Sequence, residues 1–142
     1  TNIPKKVVTI DRDLGKRNPL RILLVEDNPI NQKVALHILG RLGYQADLAG
    51  NGIEALQSLK RQTYDVVLMD IQMPEMGGDE ATRQIRADWP QDQQPYIIAM
   101  TAHALSGDRA KFLSIGMDNY VSKPVKLEEL VSALEVAKPL EH

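Results

Sequence analysis

Five side chains in this sequence have the types and positions to do chemistry together: Glu26, Asp27, Asp70, Thr101 and Lys123. Four of them sit at or just after the end of a short apolar run: RILLV before Glu26-Asp27, DVVLM before Asp70 and YIIAM before Thr101. Lys123 follows NYV by one residue. Three carboxylates gathered at neighbouring strand tips repel one another and need a cation to be tolerated. Carboxylate oxygens are hard donors, suited to a Mg²⁺ ion that keeps several of its waters. A carboxylate is also a nucleophile towards phosphorus, and the product would be an aspartyl phosphate. The phosphoryl oxygens would need positive charge and a hydroxyl donor, which Mg²⁺, Lys123 and Thr101 can supply. Taken singly, each residue has a plainer role, since an acid after a strand commonly caps a helix or sits in a turn. The conjunction carries the reading.

Such a conjunction requires elements that bring the tips side by side. Arg21–Val25, Gln45–Ala49, Asp65–Met69, Tyr96–Met100 and Asn119–Val121 are the strand candidates. Three of them are nearly continuous apolar runs, as strands buried on both faces of a parallel sheet should be. Amphipathic segments alternate with them. The first opens with Asn28 as N-cap and Pro29 at the first helical position, and Ile30, Val34, Ile38 and Leu42 form a stripe with Ala35 beside it. The second starts at Asn51, with Glu54 as a capping-box partner, and is expected to bury Ile53, Leu56 and Leu59. The third starts near Gly78-Asp79 and carries Ala81 and Ile85; the fourth, Ser106 to Ile115, has a thin apolar pattern and stops at Gly116. Leu127, Leu130, Val131 and Leu134 make the stripe of the fifth.

Five strand–helix units in series predict an α/β fold, a single (βα)5 flavodoxin-like domain. Its five-stranded parallel sheet should run in the order 2-1-3-4-5, with helices on both faces. Ligands of such sheets bind beyond the carboxyl ends of the strands, at the switch point between strands 1 and 3. The second strand, at the edge in this order, ends in Leu48-Ala49-Gly50 and carries nothing ionisable. The reactive groups therefore fall only on the four contiguous strands.

The chain has 142 residues, 43% apolar and 25% charged, which fits one soluble globular domain. It has no cysteine, no apolar run long enough to span a bilayer and no signal-peptide pattern, so a cytoplasmic location is the default expectation. Lys5, Lys6, Arg12, Lys16 and Arg17 against Asp11 and Asp13 give residues 1–19 a balance of +3; the net charge of -2 leaves -5 on the rest. An acidic body argues against nucleic acid as a direct ligand. Residues 1–19 read as a basic linker or N-terminal extension and 20–138 as the domain. Residues 139–142 read as a tail, in which Leu140-Glu141-His142 looks like a tag remnant. The polar stretch Ala87–Pro95, which holds the single tryptophan, has no evident purpose.

VEDN (25–28), LMDIQMPEMGG (68–78), AMTA (99–102) and YVSKP (120–124) together resemble, collinearly over about residues 20 to 138, the signature of response-regulator receiver domains. The resemblance implies that Asp70 is the phosphoacceptor, and that Glu26, Asp27, Asp70 and the backbone carbonyl of Gln72 hold Mg²⁺. It implies Thr101 as switch hydroxyl, Tyr120 as switch aromatic, Lys123 as the phosphoryl-binding lysine, and a cis bond before Pro124. Gln72 and His103 fall where the family varies and tunes phosphoryl lifetime. Such a domain is no conventional enzyme but catalyses its own phosphorylation and dephosphorylation. Its partner would be a histidine kinase or a histidine phosphotransfer domain, with no direct contact to a membrane and a monomeric or weakly dimeric state. VEDNPINQKVA resembles receivers attached to hybrid sensor histidine kinases, for which the basic head would be the linker from the kinase core. A stand-alone regulator and a docking module that never takes phosphate are the alternatives. Asn28, Gln32 and Leu36, four apart and away from the apolar stripe, are the expected partner contacts. A flavodoxin-type flavin binder fits poorly because EDNPINQ is acidic where a phosphate loop is needed. A dehalogenase-like phosphatase would want a second aspartate where Gln72 stands.

Overall fold

A computed structural model describes residues 13–102 and 108–140. His103 and the start expected for the fourth helix at Ser106 lie outside the described residues. The apolar runs form β1 (Ile22–Val25), β2 (Ala46–Ala49), β3 (Val66–Asp70), β4 (Tyr96–Thr101) and β5 (Asn119–Ser122). The helices are α1 (Leu14–Arg17), α2 (Pro29–Arg41), α3 (Gly52–Arg61), α4 (Gly78–Asp88), α5 (Asp108–Ile115) and α6 (Leu127–Val136). All neighbouring strands pair in parallel, in the order β2-β1-β3-β4-β5. The expected topology is the observed one.

Every residue of β1 and β3 is buried, and their alternate side chains feed two separate cores. Ile22, Leu24, Val66 and Leu68 pack with Ala35 and Leu39 of α2 and Leu130 and Leu134 of α6. Leu23, Val25, Val67 and Met69 pack with Ala55 and Leu59 of α3, Ala81 and Ile85 of α4, and Phe112 of α5. This two-sided burial explains why these runs lack a polar residue until their tips.

The register then sets the tips against one another. Val25 lies opposite Met69, Asp70 opposite Met100, and Thr101 opposite Ser122. Two hydrogen bonds carry the ladder past the strand ends, from the amide of Glu26 to the Ala49 carbonyl (3.0 Å) and from that of Lys123 to the Thr101 carbonyl (2.7 Å).

Three expectations about packing need correction. The stripe Ile30-Val34-Ile38-Leu42 is not the buried face of α2: Ile30 is 72% exposed and Val34 38%, while Ala35, Leu39 and Leu42 are buried. A strict four-residue spacing advances about 40° per step around a helix, so Leu42 stands about 120° from Ile30 and the two cannot share one contact face. Leu36, expected on the outside, is half-buried against the α2–α6 core. In α3, Ile53 is 41% exposed, and Ala55 and Leu59 take the buried positions.

The end of the expected linker packs on the domain. Leu14 is 1% exposed within the α2–α6 core. The amide of Gly15 donates to Leu42 O (2.9 Å), and the Asn18 side chain donates to Leu134 O and Ala137 O, both at 3.0 Å. Burial of the Tyr44 hydroxyl, which donates to Asn18 O at 2.7 Å, helps push its pKa up to about 12. In the tail, the amide of Leu140 donates to the buried Asp65 carboxylate at 2.7 Å.

The polar stretch 87–95 also acquires a role. The Gln94 side-chain nitrogen donates to Ile85 O and Trp89 O, and the Arg86 guanidinium donates to the Gln94 side-chain oxygen, Pro95 O, Gly116 O and Asp118. It is a hydrogen-bonded corner that ties α4 to the starts of β4 and β5.

Leu14→Ala should lower the unfolding free energy by about 2–5 kcal/mol in urea denaturation, the range for emptying a buried leucine site. Ile30→Ala should change it by less than about 0.5 kcal/mol.

Candidate functional site

The site grows out of the carboxyl ends of β1, β3, β4 and β5. Glu26 is 1% exposed although it is an acid. Its side chain is held by the amide of Asn28 (3.0 Å), and its backbone carbonyl accepts from the Gln32 side chain (2.7 Å). Asn28 meanwhile caps α2, its side chain accepting from the amides of Ile30 (2.8 Å) and Asn31 (3.1 Å). Asn28 and Gln32 therefore shape the β1–α2 turn, and their side chains are engaged within the domain.

Asp70 is 2% exposed and Thr101 8%. The Lys123 ammonium donates to Asp70 Oδ1 at 2.9 Å and to Glu26 at 3.4 Å. The Gln72 amide approaches the same Asp70 oxygen at 3.3 Å. Asp70 Oδ2 is buried and receives no donor. Asp27 is exposed at the rim, and the carboxylates of Glu26, Asp27 and Asp70 have oxygens all within 4.8 Å of one another. A cavity of about 160 Å³ opens above, lined by Asp70, Gln72, Thr101, Lys111, Phe112 and Lys123 among others. The Lys123–Pro124 peptide bond is cis.

Gly78 makes this crowding possible. A Cβ there would collide with the Asp70 carbonyl, so the first turn of α4 can lie directly against the tip of β3 only without a side chain.

The electrostatics are unbalanced. Burial pushes the Glu26 carboxyl up, the Asn28 amide partly offsets this, and the Asp70 charge raises it further. For Lys123, burial alone would lower the pKa, but the hydrogen bond and charge of Asp70, helped by Glu26, outweigh it and hold the ammonium above its usual range. Two ionised carboxylates are both acceptors and cannot satisfy each other. A shared proton or a cation resolves the conflict. The donor set is all hard oxygen and includes a buried lone pair without a partner, which fits a small divalent ion.

Not every residue singled out from sequence comes to the site. Tyr120 is half-buried on β5, its ring 5.8 Å from that of Phe112 at a 47° tilt. Leu36 packs inward and is not part of the site surface. Lys111 and Phe112 of α5, which line the cavity, were not singled out; Phe112, the single phenylalanine in a thin apolar pattern, was the available signal.

A (βα)5 domain with an acid pair after β1, an aspartate on β3, a hydroxyl on β4 and a lysine after β5 has the layout of a phosphoacceptor module. The chain belongs to the response regulator receiver domain family, whose pattern matches residues 22–135. It is 48% identical to the receiver domain of the sensor histidine kinase PA1611 from Pseudomonas aeruginosa PAO1, solved with a magnesium ion in the active-site cleft; the match has a TM-score of 0.72 and covers 82% of this chain and 94% of that one. The Ssk1 receiver domain of Saccharomyces cerevisiae, solved with the histidine phosphotransfer protein Ypd1, matches at 32% identity and a TM-score of 0.73, over 81% of this chain and 86% of that one. Hybrid signal transduction histidine kinase G of Dictyostelium discoideum is 41% identical over 123 residues, 85% of this chain and 4% of that protein. The chain thus spans a small part of the kinases it resembles. Among the described residues no helix is long and apolar enough to cross a membrane.

The raised Glu26 pKa has a signed consequence. Its contribution to stability is fully present below the ordinary value of 4.5 and is lost as pH rises through the folded-state value. In EDTA, Glu26→Gln should therefore gain stability relative to wild type on going from about pH 4 to about pH 7. Urea unfolding at the two pH values checks this; a mutant-minus-wild-type difference that does not change with pH contradicts it.

Proposed function

We propose that Asp70 accepts a phosphoryl group from a partner's phosphohistidine and that the modified domain changes which surface it presents. One observation carries the reading. A buried aspartate is held by Lys123 at 2.9 Å, with its second oxygen unpartnered, inside a cavity that also contains the Thr101 side chain. In the step, the Asp70 carboxylate attacks phosphorus, the histidine N–P bond breaks, and the imidazole keeps the electron pair and takes a proton. Lys123 stays charged and moves from the carboxylate towards the transferred phosphoryl oxygens. Thr101 donates its hydroxyl to another of them.

Glu26, Asp27, Asp70 and the Gln72 carbonyl would hold Mg²⁺, which when bound neutralises the acid cluster and draws charge from the phosphoryl oxygens. The magnesium in the PA1611 receiver supports this assignment by similarity. An aspartyl phosphate carries roughly -1.5 to -2 charges by analogy with other phosphorylated side chains. Movement of Thr101 towards it frees space for Tyr120 to turn inward against Phe112, repacking α5, β5 and α6. This is a shift between two packings, not a new fold.

Because Leu36 is half-buried, the donor surface is placed on its exposed neighbours. Ile30 and Val34 are bare on α2, and Val34 lines a cleft with Asn31, Lys123, Pro124 and Val125 beside the acid cluster. The helix carrying the phosphohistidine would dock on these side chains, and the Ypd1–Ssk1 complex supports a phosphotransfer protein as partner. The parent protein is read as a hybrid sensor histidine kinase working in the cytoplasm, where its ATP lies.

With a small phosphodonor and Mg²⁺, the wild type should become acid-stable and base-labile in its phosphate label; Asp70→Asn should take none, and label persisting in it would overturn the assignment. Ile30→Ser should slow transfer from a phosphohistidine protein about tenfold, roughly 1.4 kcal/mol, and leave the small-donor rate unchanged. Stopped-flow transfer assays separate the two.

A further inference from the structure

The loop between β3 and α4 carries Gln72, and its shape is imposed by a helix that contributes no residue to the site. We infer that Asn51 and Gly52, at the start of α3, are positioning residues for the metal site; this rests on the metal assignment proposed above. The first amides of any helix lack partners within the helix. Here the Gly52 amide finds one in the Met76 carbonyl, at 3.1 Å. The approach is close: a Cβ on Gly52 would stand 2.7 Å from Met76 Cγ and 2.8 Å from Met76 O.

Asn51 works on both sides of the junction. Its side-chain oxygen caps α3 by accepting from the Glu54 amide at 2.9 Å, and its amide group donates to Glu75 at 3.4 Å. Aspartate, serine or threonine could cap the helix, but the two-sided contact needs an amide.

The clamped loop is already constrained. Glu75 has φ +69°, a left-handed conformation that a residue with a side chain adopts at a cost. At the near end, the Ile71 amide donates to Met100 O (3.3 Å) and its carbonyl accepts from Gly78 (3.0 Å). Gln72 is thus strung between an anchor on the sheet at Ile71 and an anchor on α3 at Met76. Releasing the second anchor would free the segment whose Gln72 carbonyl is assigned to the metal.

Mg²⁺ titration by calorimetry on the full chain, with urea unfolding in EDTA beside it, tests the role. Gly52→Ala should weaken Mg²⁺ binding about 10-fold, in the range for groups that orient metal ligands. Asn51→Ser keeps a helix cap and loses only the contact to Glu75, so it should weaken Mg²⁺ binding by a smaller factor with unchanged unfolding in EDTA. A purely structural role would lower stability in EDTA and leave the Mg²⁺ affinity of the folded protein alone. Wild-type affinity in folded Asn51→Ser overturns the inference, whatever Gly52→Ala does. Failure of the wild type itself to bind Mg²⁺ overturns the metal assignment and the inference with it.

Discussion

Charge repulsion among Glu26, Asp27 and Asp70 is the constraint on which the rest of the site depends. Their oxygens lie within 4.8 Å of one another, two of the three side chains are buried, and Lys123 offsets only part of the negative charge. A domain that merely needed to fold would not assemble such a cluster, because each buried charge without full compensation destabilises it. The cluster is affordable because β1 and β3 are locked between two apolar cores, so the strand tips cannot splay to relieve the repulsion.

That rigidity divides the molecule by function. The β1–α2 turn and the β3–α4 loop are fixed by local bonds, Asn28 to its own helix, Gln32 to Glu26 and Gly78 to Ile71, and by the long-range bond of Gly52 to Met76. Geometry on that side of the sheet suits a metal, which rewards fixed ligands. The β4–α5 side is built differently. Its helix is short, its contacts with the sheet run chiefly through Phe112, and Phe112 also lines the reactive cavity and touches Tyr120. On the proposed mechanism, a change of charge at Asp70 would reach the aromatic pair through Phe112.

Much of this was legible in the sequence, for identifiable reasons. Strands buried on both faces must be apolar throughout, so RILLV, DVVLM and YIIAM announced a parallel sheet, and an acid or hydroxyl at each tip then stood out. Strand order followed from the number of units, and the bare tip of β2 agreed with it. The failures are equally physical. Helical stripes read at a strict three- or four-residue spacing drift around the axis, which put Ile30, Val34 and Ile53 inside and Leu36 outside. Leu14 looked like linker because one apolar residue among Asp11, Arg12, Asp13, Gly15, Lys16 and Arg17 shows no period, yet Leu14 is buried and Gly15 and Asn18 donate three hydrogen bonds to backbone carbonyls of the domain. The closeness of Gly52 to Met76 is a long-range contact, invisible to any local pattern.

The location of the phosphoryl group tests the account most directly. After reaction with a small phosphodonor and Mg²⁺, borohydride reduction converts a phosphorylated aspartate to homoserine, and mass spectrometry of peptides then identifies the position. Homoserine at residue 70 alone is the expected result. Homoserine at Asp27, or phosphate retained on His103 with residue 70 unreduced, would contradict it.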